Sequence, residues 1–361
     1  MLMFLLRRFG IMVLTAVCLT FIVFFLTNLA PNLEKLARSE GSVRMSDEQV
    51  QSWLATHGYA QPLVKRYGEW LGVLPGWTAT DAAGVTTGRC INAAVPAESA
   101  PTRCGVLQGD WGYSTVFKRP VSEILGRALV ATGWLMLWVM IIMVPSALAL
   151  GVLAGMREGS RTDRFLSTIA IATTATPEYV SGVILIALFA SATVGVSPWL
   201  FEHGWIEGRT WFQGTATSAM DDITFWNFGL PVITIAMYGM GYIARMTRAS
   251  MTEVMTAQYI RTARLKGVSF RQVVLRHALR NALIAPFTVI MLQIPWLLNG
   301  VVITETLFNY KGFGWTLVQG AGNNDVELLL SCSVVAVVIV LATQLISDIG
   351  YAFLNPRIRI S

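Results

Sequence analysis

Six stretches of the chain are apolar almost without interruption, and the segments between them are polar and often basic. They run over about 9–30, 128–155, 165–192, 226–247, 282–304 and 329–353. At about 1.5 Å of rise per residue, each is long enough to cross a hydrocarbon layer of about 30 Å as an α-helix. A long polar stretch, 32–126, follows the first, and shorter loops join the others. The pattern predicts an all-α polytopic membrane protein with six transmembrane helices. The start, MLMFLLRRFGIMVLTAVCLTFIVFFLTNLAP, has Arg7 and Arg8 ahead of an apolar run, as a secretory signal does. That run is too long for a signal core and lacks a small-residue cleavage site, so it reads as an uncleaved first helix.

Periodicity continues inside the polar stretch. Ser46 with Gln49 three residues on has capping-box spacing. Leu63, Tyr67, Trp70 and Leu71 share one face of a helix. The segment 75–107 is rich in Gly, Ala, Thr and Pro and reads as irregular. Cys90 and Cys104 both fall there; an oxidising exterior would join them as a staple, and two free thiols are the alternative. Cys18 and Cys332 fall in spans, where a cysteine serves as a small apolar residue.

Composition agrees with lipid as the solvent. The chain is 54% hydrophobic and 13% charged, about half the charge of a soluble domain. Its net charge of +6 is not interleaved with aromatics, so nucleic acid is not indicated. The placement of Lys and Arg sets orientation, because they are retained on the cytoplasmic side. Arg7 and Arg8, then Arg157, Arg161 and Arg164, then the 245–280 junction, then Arg357 and Arg359 all fall on one side. The opposite short loops hold Arg209 and Lys311. Both termini are therefore expected inside and 32–126 outside.

Familiar catalytic patterns are missing. There is no G-x-x-x-x-G-K-[ST], no H-E-x-x-H, no G-x-S-x-G, and His57, His203 and His277 are scattered. Glu178 and Asp348 are the main ionisable groups within spans. Two lone carboxylates on different helices do not make a catalytic cluster, and Asp348 is placed to pair with Arg357 or Arg359 or to cap a helix end. The chain is read as a non-enzyme without an ATP site or metal site of its own.

The charge concentrates in QYIRTARLKGVSFRQVVLRHALRN, Gln258 to Asn281, which carries six Lys or Arg and no acid. Gly267 divides it. Before it lies a helix-forming run with Tyr259, Ile260 and Ala263 on one side; a Gly just past Arg and Lys marks a helix C-terminus. After it Ser269 is placed to cap a second helix, with Phe270, Val273, Val274 and His277 on one face. Gln272, Arg276 and Arg280 form a polar stripe. A membrane-surface anchor and a docking element for a soluble partner both fit this helix–turn–helix.

The strip resembles the cytoplasmic EAA-type loop of binding-protein-dependent ABC transporter permeases. Within these it is similar to the dipeptide, oligopeptide and nickel branch, which shows D-Y-[VI]-R-T-A-R-A-K-G-L and then R-H-A-L-R-N-A-L and a Pro. Here the run is Gln258-Tyr259-Ile260-Arg261-Thr262-Ala263-Arg264-Leu265-Lys266-Gly267-Val268, then Arg276 to Leu283, then Pro286. GDWGYS (109–114), ETLFNYKGFGWTL (305–317) and SDIGYAFLNPRIRI at the end resemble further motifs of that branch. Departures are Pro31-Asn32-Leu33-Glu34 in place of P-G-D-P, Lys311 in place of Pro, Asn355 in place of Asp, and a longer outer loop.

The resemblance implies a type I ABC importer permease of the bacterial inner membrane, the first of two permease subunits. Its parts would be 1–31 (N-terminus and first helix), 32–126 (periplasmic loop domain) and 127–361 (permease core, with a cytoplasmic coupling segment 250–281). A coupling helix over 256–267 would contact the ATPases through Tyr259, Arg261, Thr262, Ala263, Arg264, Lys266 and Gly267. Partners would be a homologous permease, two ATP-binding cassette subunits holding the ATP and Mg, a periplasmic or lipid-anchored solute-binding protein, and membrane lipid. Peptides or peptide-like solutes are the expected cargo. Nickel complexes, opines or glycosides are alternatives, and a channel or scaffold without an ATPase is a remoter one.

Overall fold

The computed structural model describes residues 2–80, 86–91 and 95–354, excluding the side chains of 2–5, 295, 298–300, 348 and 350–354. The expected pairing of Asp348 with Arg357 or Arg359 lies outside these residues. The described chain is mostly helical. Four helices are long and apolar enough to cross a membrane, and up to six spans result if each of two bent helix pairs is one. By contact the chain forms two compact units, Met1–Ala128 with Thr316–Leu341, and Leu129–Trp315 with Ala342–Ser361.

The first unit opens with α1 (Leu2–Thr27) and α2 (Ala30–Glu40). The first apolar run was expected to continue to about 30, but α1 ends at Thr27 and a new helix starts around Pro31, which suits a first helical turn because it has no N–H to satisfy. Next come α3 (Asp47–Thr56) and α4 (Leu63–Leu71). Ser46 and Gln49 do form the capping box of α3: Ser46 Oγ accepts from Gln49 N at 3.3 Å, and Ser46 N donates to Gln49 Oε1 at 2.9 Å. Tyr67 and Trp70 of α4 are buried against Phe24, Leu33, Leu36 and Val50. The Tyr67 and Thr20 hydroxyls lie 2.7 Å apart.

The stretch read as irregular contains a small antiparallel pair, β1 (Thr78–Thr80) with β2 (Thr86–Gly88). Its β-branched threonines suit extended backbone, a signal the Gly and Pro content hid. Cys90 and Cys104 are disulfide-linked beside it, with Cα atoms 5.6 Å apart. A second pair, β3 (Tyr113–Ser114) and β4 (Arg119–Pro120), leads into α5 (Val121–Gly155). The GDWGYS segment is held by Asp325: its carboxylate accepts from Ser114 Oγ and from Val116 N at 3.2 Å.

In the second unit α5 is followed by α6 (Arg161–Ala175) and α7 (Glu178–Phe189), then α8 (Val196–Glu202) and α9 (Phe225–Thr256). The stretch 165–192 was expected as one span. It breaks between Ala175 and Glu178 with a 108° bend. Pro177 cannot donate a backbone hydrogen bond, and it forces Thr176 out of helical backbone to ψ 123°. Beyond α9 come α10 (Gln258–Leu265), α11 (Phe270–Gln272), a π-helical turn over Val273–Ala278, α12 (Leu279–Ala282) and α13 (Ile284–Leu307); the chain then returns to the first unit with most of α14 (Phe313–Gly322) and the first half of α15 (Val326–Leu354). α9 is the centre of the second unit, packed by α6, α7, α12 and α13. Two-thirds of its most apolar window is buried, against about a quarter for α5.

The turn after α13 is fixed by a buried carboxylate. Glu305 is fully buried; Thr132 Oγ1 donates to one of its oxygens, and Trp315 N donates to the other at 3.0 Å. A Cβ on Gly312 would lie 2.1 Å from Glu305 Oε1, so only glycine permits this approach. The Tyr310 hydroxyl donates to Ala131 O at 2.9 Å in the same turn.

Candidate functional site

The basic strip folds as a short helix set off from α9 by one residue. Ala257 breaks the helix with extended backbone (φ −64°, ψ 148°), and Ile260 N and Arg261 N donate to its carbonyl at 3.1 and 3.2 Å. The new helix, α10, is narrower than the expected 256–267, because Thr256 still belongs to α9.

Its far end is closed by two reversed hydrogen bonds. Gly267 N donates to Arg264 O at 3.0 Å and Val268 N to Ala263 O at 3.2 Å, with Gly267 at φ +76°. This is a Schellman termination, and Val268 and Ala263 pack in one cluster as that motif favours. The exit direction of the chain is thus set by a left-handed residue where an L side chain would be strained.

Apolar packing anchors the helix. Ile260 is fully buried and Ala263 nearly so, against Met251, Val273, Val274 and Ala278, with Val152 and Met156 of α5 at the edge. Tyr259, expected on that face, is instead exposed, and its hydroxyl accepts from Asn281 Nδ2 at 2.9 Å. His277 and Phe270 are also exposed, although α-helical periodicity placed them with Val273 and Val274. The π-helical turn accounts for His277. Its wider winding brings Ala278, rather than His277, beneath Val273.

The remaining strip residues face outward. Arg261, Thr262, Arg264 and Lys266 are exposed, as are Gln272, Arg276 and Arg280. Arg264 lies over the Phe270 ring at 5.9 Å, and Arg157 of the α5–α6 junction lies over the same ring at 5.2 Å. Leu265, at the tip, is 81% exposed. It is the apolar residue at the end of an otherwise basic, exposed face. It was overlooked in the sequence because it looked like an ordinary helix former.

A second feature escaped the sequence reading. Asp163, buried in the first turn of α6, receives a two-pronged bond from Arg248 of α9, with Nη2 to Oδ2 at 2.8 Å. Gly159 N and Ser167 Oγ also donate to it at 2.9 and 3.1 Å, and Asp163 N donates to the capping Ser160 Oγ at 3.1 Å. The pair ties the basic α5–α6 junction to α9 about three turns before α10. Ser160 with Asp163 three residues on was its legible signal, an N-cap spacing within a run otherwise read only for its positive charge. At the bend of the α6–α7 pair, Glu178 is buried, and its Oε1 has no hydrogen-bond partner. Among the described residues no three His, Cys, Asp or Glu side chains come together as metal ligands.

The arrangement is a short capped helix, seated on an apolar cluster, that projects a basic surface and one apolar tip. Comparison with known proteins bears on the family. Residues 147–360 match the family described as binding-protein-dependent transport system inner membrane component. The chain is 33% identical over 289 residues to a probable peptide ABC transporter permease protein, y4tP, of Sinorhizobium fredii, covering 80% of this chain and 88% of that one. It is also 33% identical over 254 residues to the glutathione transport system permease protein GsiC of Salmonella paratyphi A, covering 70% and 76%. A solved amino acid ABC transporter structure is a looser likeness, with TM-score 0.46 and 14% identity over 64% of this chain and 94% of that chain.

Proposed function

The chain belongs to the family of binding-protein-dependent transport system inner membrane components, and from that premise we propose that it is the permease subunit of an ATP-driven importer of peptides or peptide-like solutes. It forms half of a translocation pathway with a homologous permease. Relatives named for peptide and glutathione transport support the solute class. Six spans follow if each bent pair crosses the membrane once. The distribution of Lys and Arg supports a cytoplasmic position for both termini and α10, with 32–126 outside as a loop domain that meets a solute-binding protein.

Work enters from two ATPase subunits that bind ATP and Mg, through the 256–267 segment. The observation that carries this reading is α10 itself. It is anchored by Ile260, terminated at Gly267 and exposed at Arg261, Thr262, Lys266 and Leu265. A lipid anchor needs the charge but not the separate, rigidly capped helix. Closure of the ATPases would push α10, and the seating of α10 on α9, with the Asp163–Arg248 pair behind it, would pass the movement to α6 and α7.

The test is copurification of the tagged chain from its native membrane in mild detergent. The reading expects a second permease and P-loop ATPases, with ATP hydrolysis stimulated by a loaded binding protein. Recovery of the chain alone, with ion conductance and no ATPase, would favour a channel.

A further inference from the structure

A groove of about 560 Å³ runs between α6 and α9, and the coupling account uses only the Asp163–Arg248 pair at one end of it. The two helices lie antiparallel along the groove. At that end Arg248 meets Asp163, beside the α5–α6 junction. Further up, Gly241 lies so close to α6 that a Cβ there would fall 2.6 Å from the Ala170 carbonyl oxygen.

Positive charge is left over near the Asp163 end. Arg164 of α6 and Arg245 of α9 both line the groove, and both are exposed. Among the described residues no hydrogen bond, ion pair or ring contact engages either guanidinium. Asp163, the acid on the wall, is already matched by Arg248. The two remaining arginines face the groove without a counterion.

The groove changes character along its length. Ile171 lies seven residues beyond Arg164, about 10 Å along α6, and is exposed. On α9, Tyr242 stands about one turn above Arg245 and Met246 beside it, and both are exposed. Free cations at one end and bare apolar side chains at the other match an amphiphile with an anionic head and a hydrocarbon tail. Basic pockets between spans at the cytoplasmic side take the head groups of anionic lipids. A soluble anion would satisfy the arginines but leave Ile171 and Tyr242 uncovered.

We propose that this groove binds one anionic phospholipid, its phosphate held by Arg164 and Arg245 and an acyl chain lying along Ile171 and Tyr242. The choice of the cytoplasmic leaflet rests on the orientation proposed above; the head-group chemistry does not. By bridging α6 to α9, the lipid braces the same contact as the Asp163–Arg248 pair.

The test uses the full chain, delipidated in mild detergent and titrated by native mass spectrometry. The probes are dioleoyl phosphatidylglycerol, dioleoyl phosphatidylethanolamine, glycerol phosphate and alanyl-alanine. One phosphatidylglycerol per chain should bind at least about tenfold more tightly than phosphatidylethanolamine. Arg164→Gln and Arg245→Gln should each weaken phosphatidylglycerol by about fivefold, or about 1 kcal/mol. The double variant should lose the preference. Both positions are exposed, so the folded chain tolerates these changes. Arg276→Gln, an exposed arginine outside the groove, should leave the affinity unchanged. Equal affinity for the two lipids, or an equal loss in Arg276→Gln, overturns the proposal. Glycerol phosphate or alanyl-alanine binding as tightly as phosphatidylglycerol overturns the lipid and leaves a site for a soluble anion or a peptide carboxylate. None of these outcomes touches the coupling account, which stands or falls on copurification.

Discussion

Replacing Gly267 by Val separates the coupling account from a purely structural reading of the strip. Gly267 sits at φ +76°, and a Cβ built there meets nothing within 4 Å. The substitution therefore creates no clash, and its effect is confined to the backbone of the α10 terminus. An L residue in left-handed backbone costs about 1–2 kcal/mol, and a β-branched one is the worst tolerated. If the residue escapes to ordinary backbone, the bonds from Gly267 N to Arg264 O and from Val268 N to Ala263 O are lost, at about 1 kcal/mol each. Either route shifts the terminus against its native geometry by about 5- to 30-fold. Asn tolerates left-handed backbone and should be milder. With the reconstituted importer, ATP hydrolysis and solute uptake are measured together. Gly267→Val should insert normally and hydrolyse ATP while uptake per ATP falls, and Gly267→Asn should stay near the wild type. Coupled uptake unchanged in Gly267→Val would refute the reasoning.

Three further outcomes are expected. Arg248→Ala strands the buried Asp163 carboxylate and should cost about 3 kcal/mol, at the low end for a buried pair because Arg248 keeps some exposure; Asp163→Ala should cost less, and the double variant should recover part of the loss in detergent thermal-stability assays. Glu305→Ala removes the acceptor of Thr132 Oγ1 and Trp315 N, about 1–3 kcal/mol for each donor left unpaired, and should show as faster proteolysis of the 308–315 turn. Glu69 holds its proton more tightly folded than unfolded, because burial raises its carboxyl from the ordinary 4.5. Its contribution to stability is therefore fully present below that value and lost as pH rises through the folded value, so Glu69→Gln should flatten the melting temperature over that window.

Hydrophobic runs of helical length made the helical membrane fold legible, and the Gly267 turn was legible from one residue type after Arg and Lys. What stayed hidden depends on tertiary partners or on departures from ideal winding. The π-helical turn moved His277 off the buried face. Pro177 turned one span into a bent pair, although Pro within an apolar run was visible. Asp163 meets Arg248 across 85 positions, and no local pattern announces a pair so distant. The groove with Arg164 and Arg245 draws its wall from α6 and α9, and the sequence offered both arginines only as signals of orientation.

The central claim is that α10 is the surface on which ATPases drive this chain, and Leu265 at its tip tests it most directly. Leu265→Cys, in a complex whose ATPase carries single cysteines around its permease-facing groove, is treated with a short thiol crosslinker in native membranes. The account predicts a permease–ATPase adduct whose yield changes when ATP is added. An adduct that never contains the ATPase, with the same variant still supporting ATP-driven uptake, would contradict it.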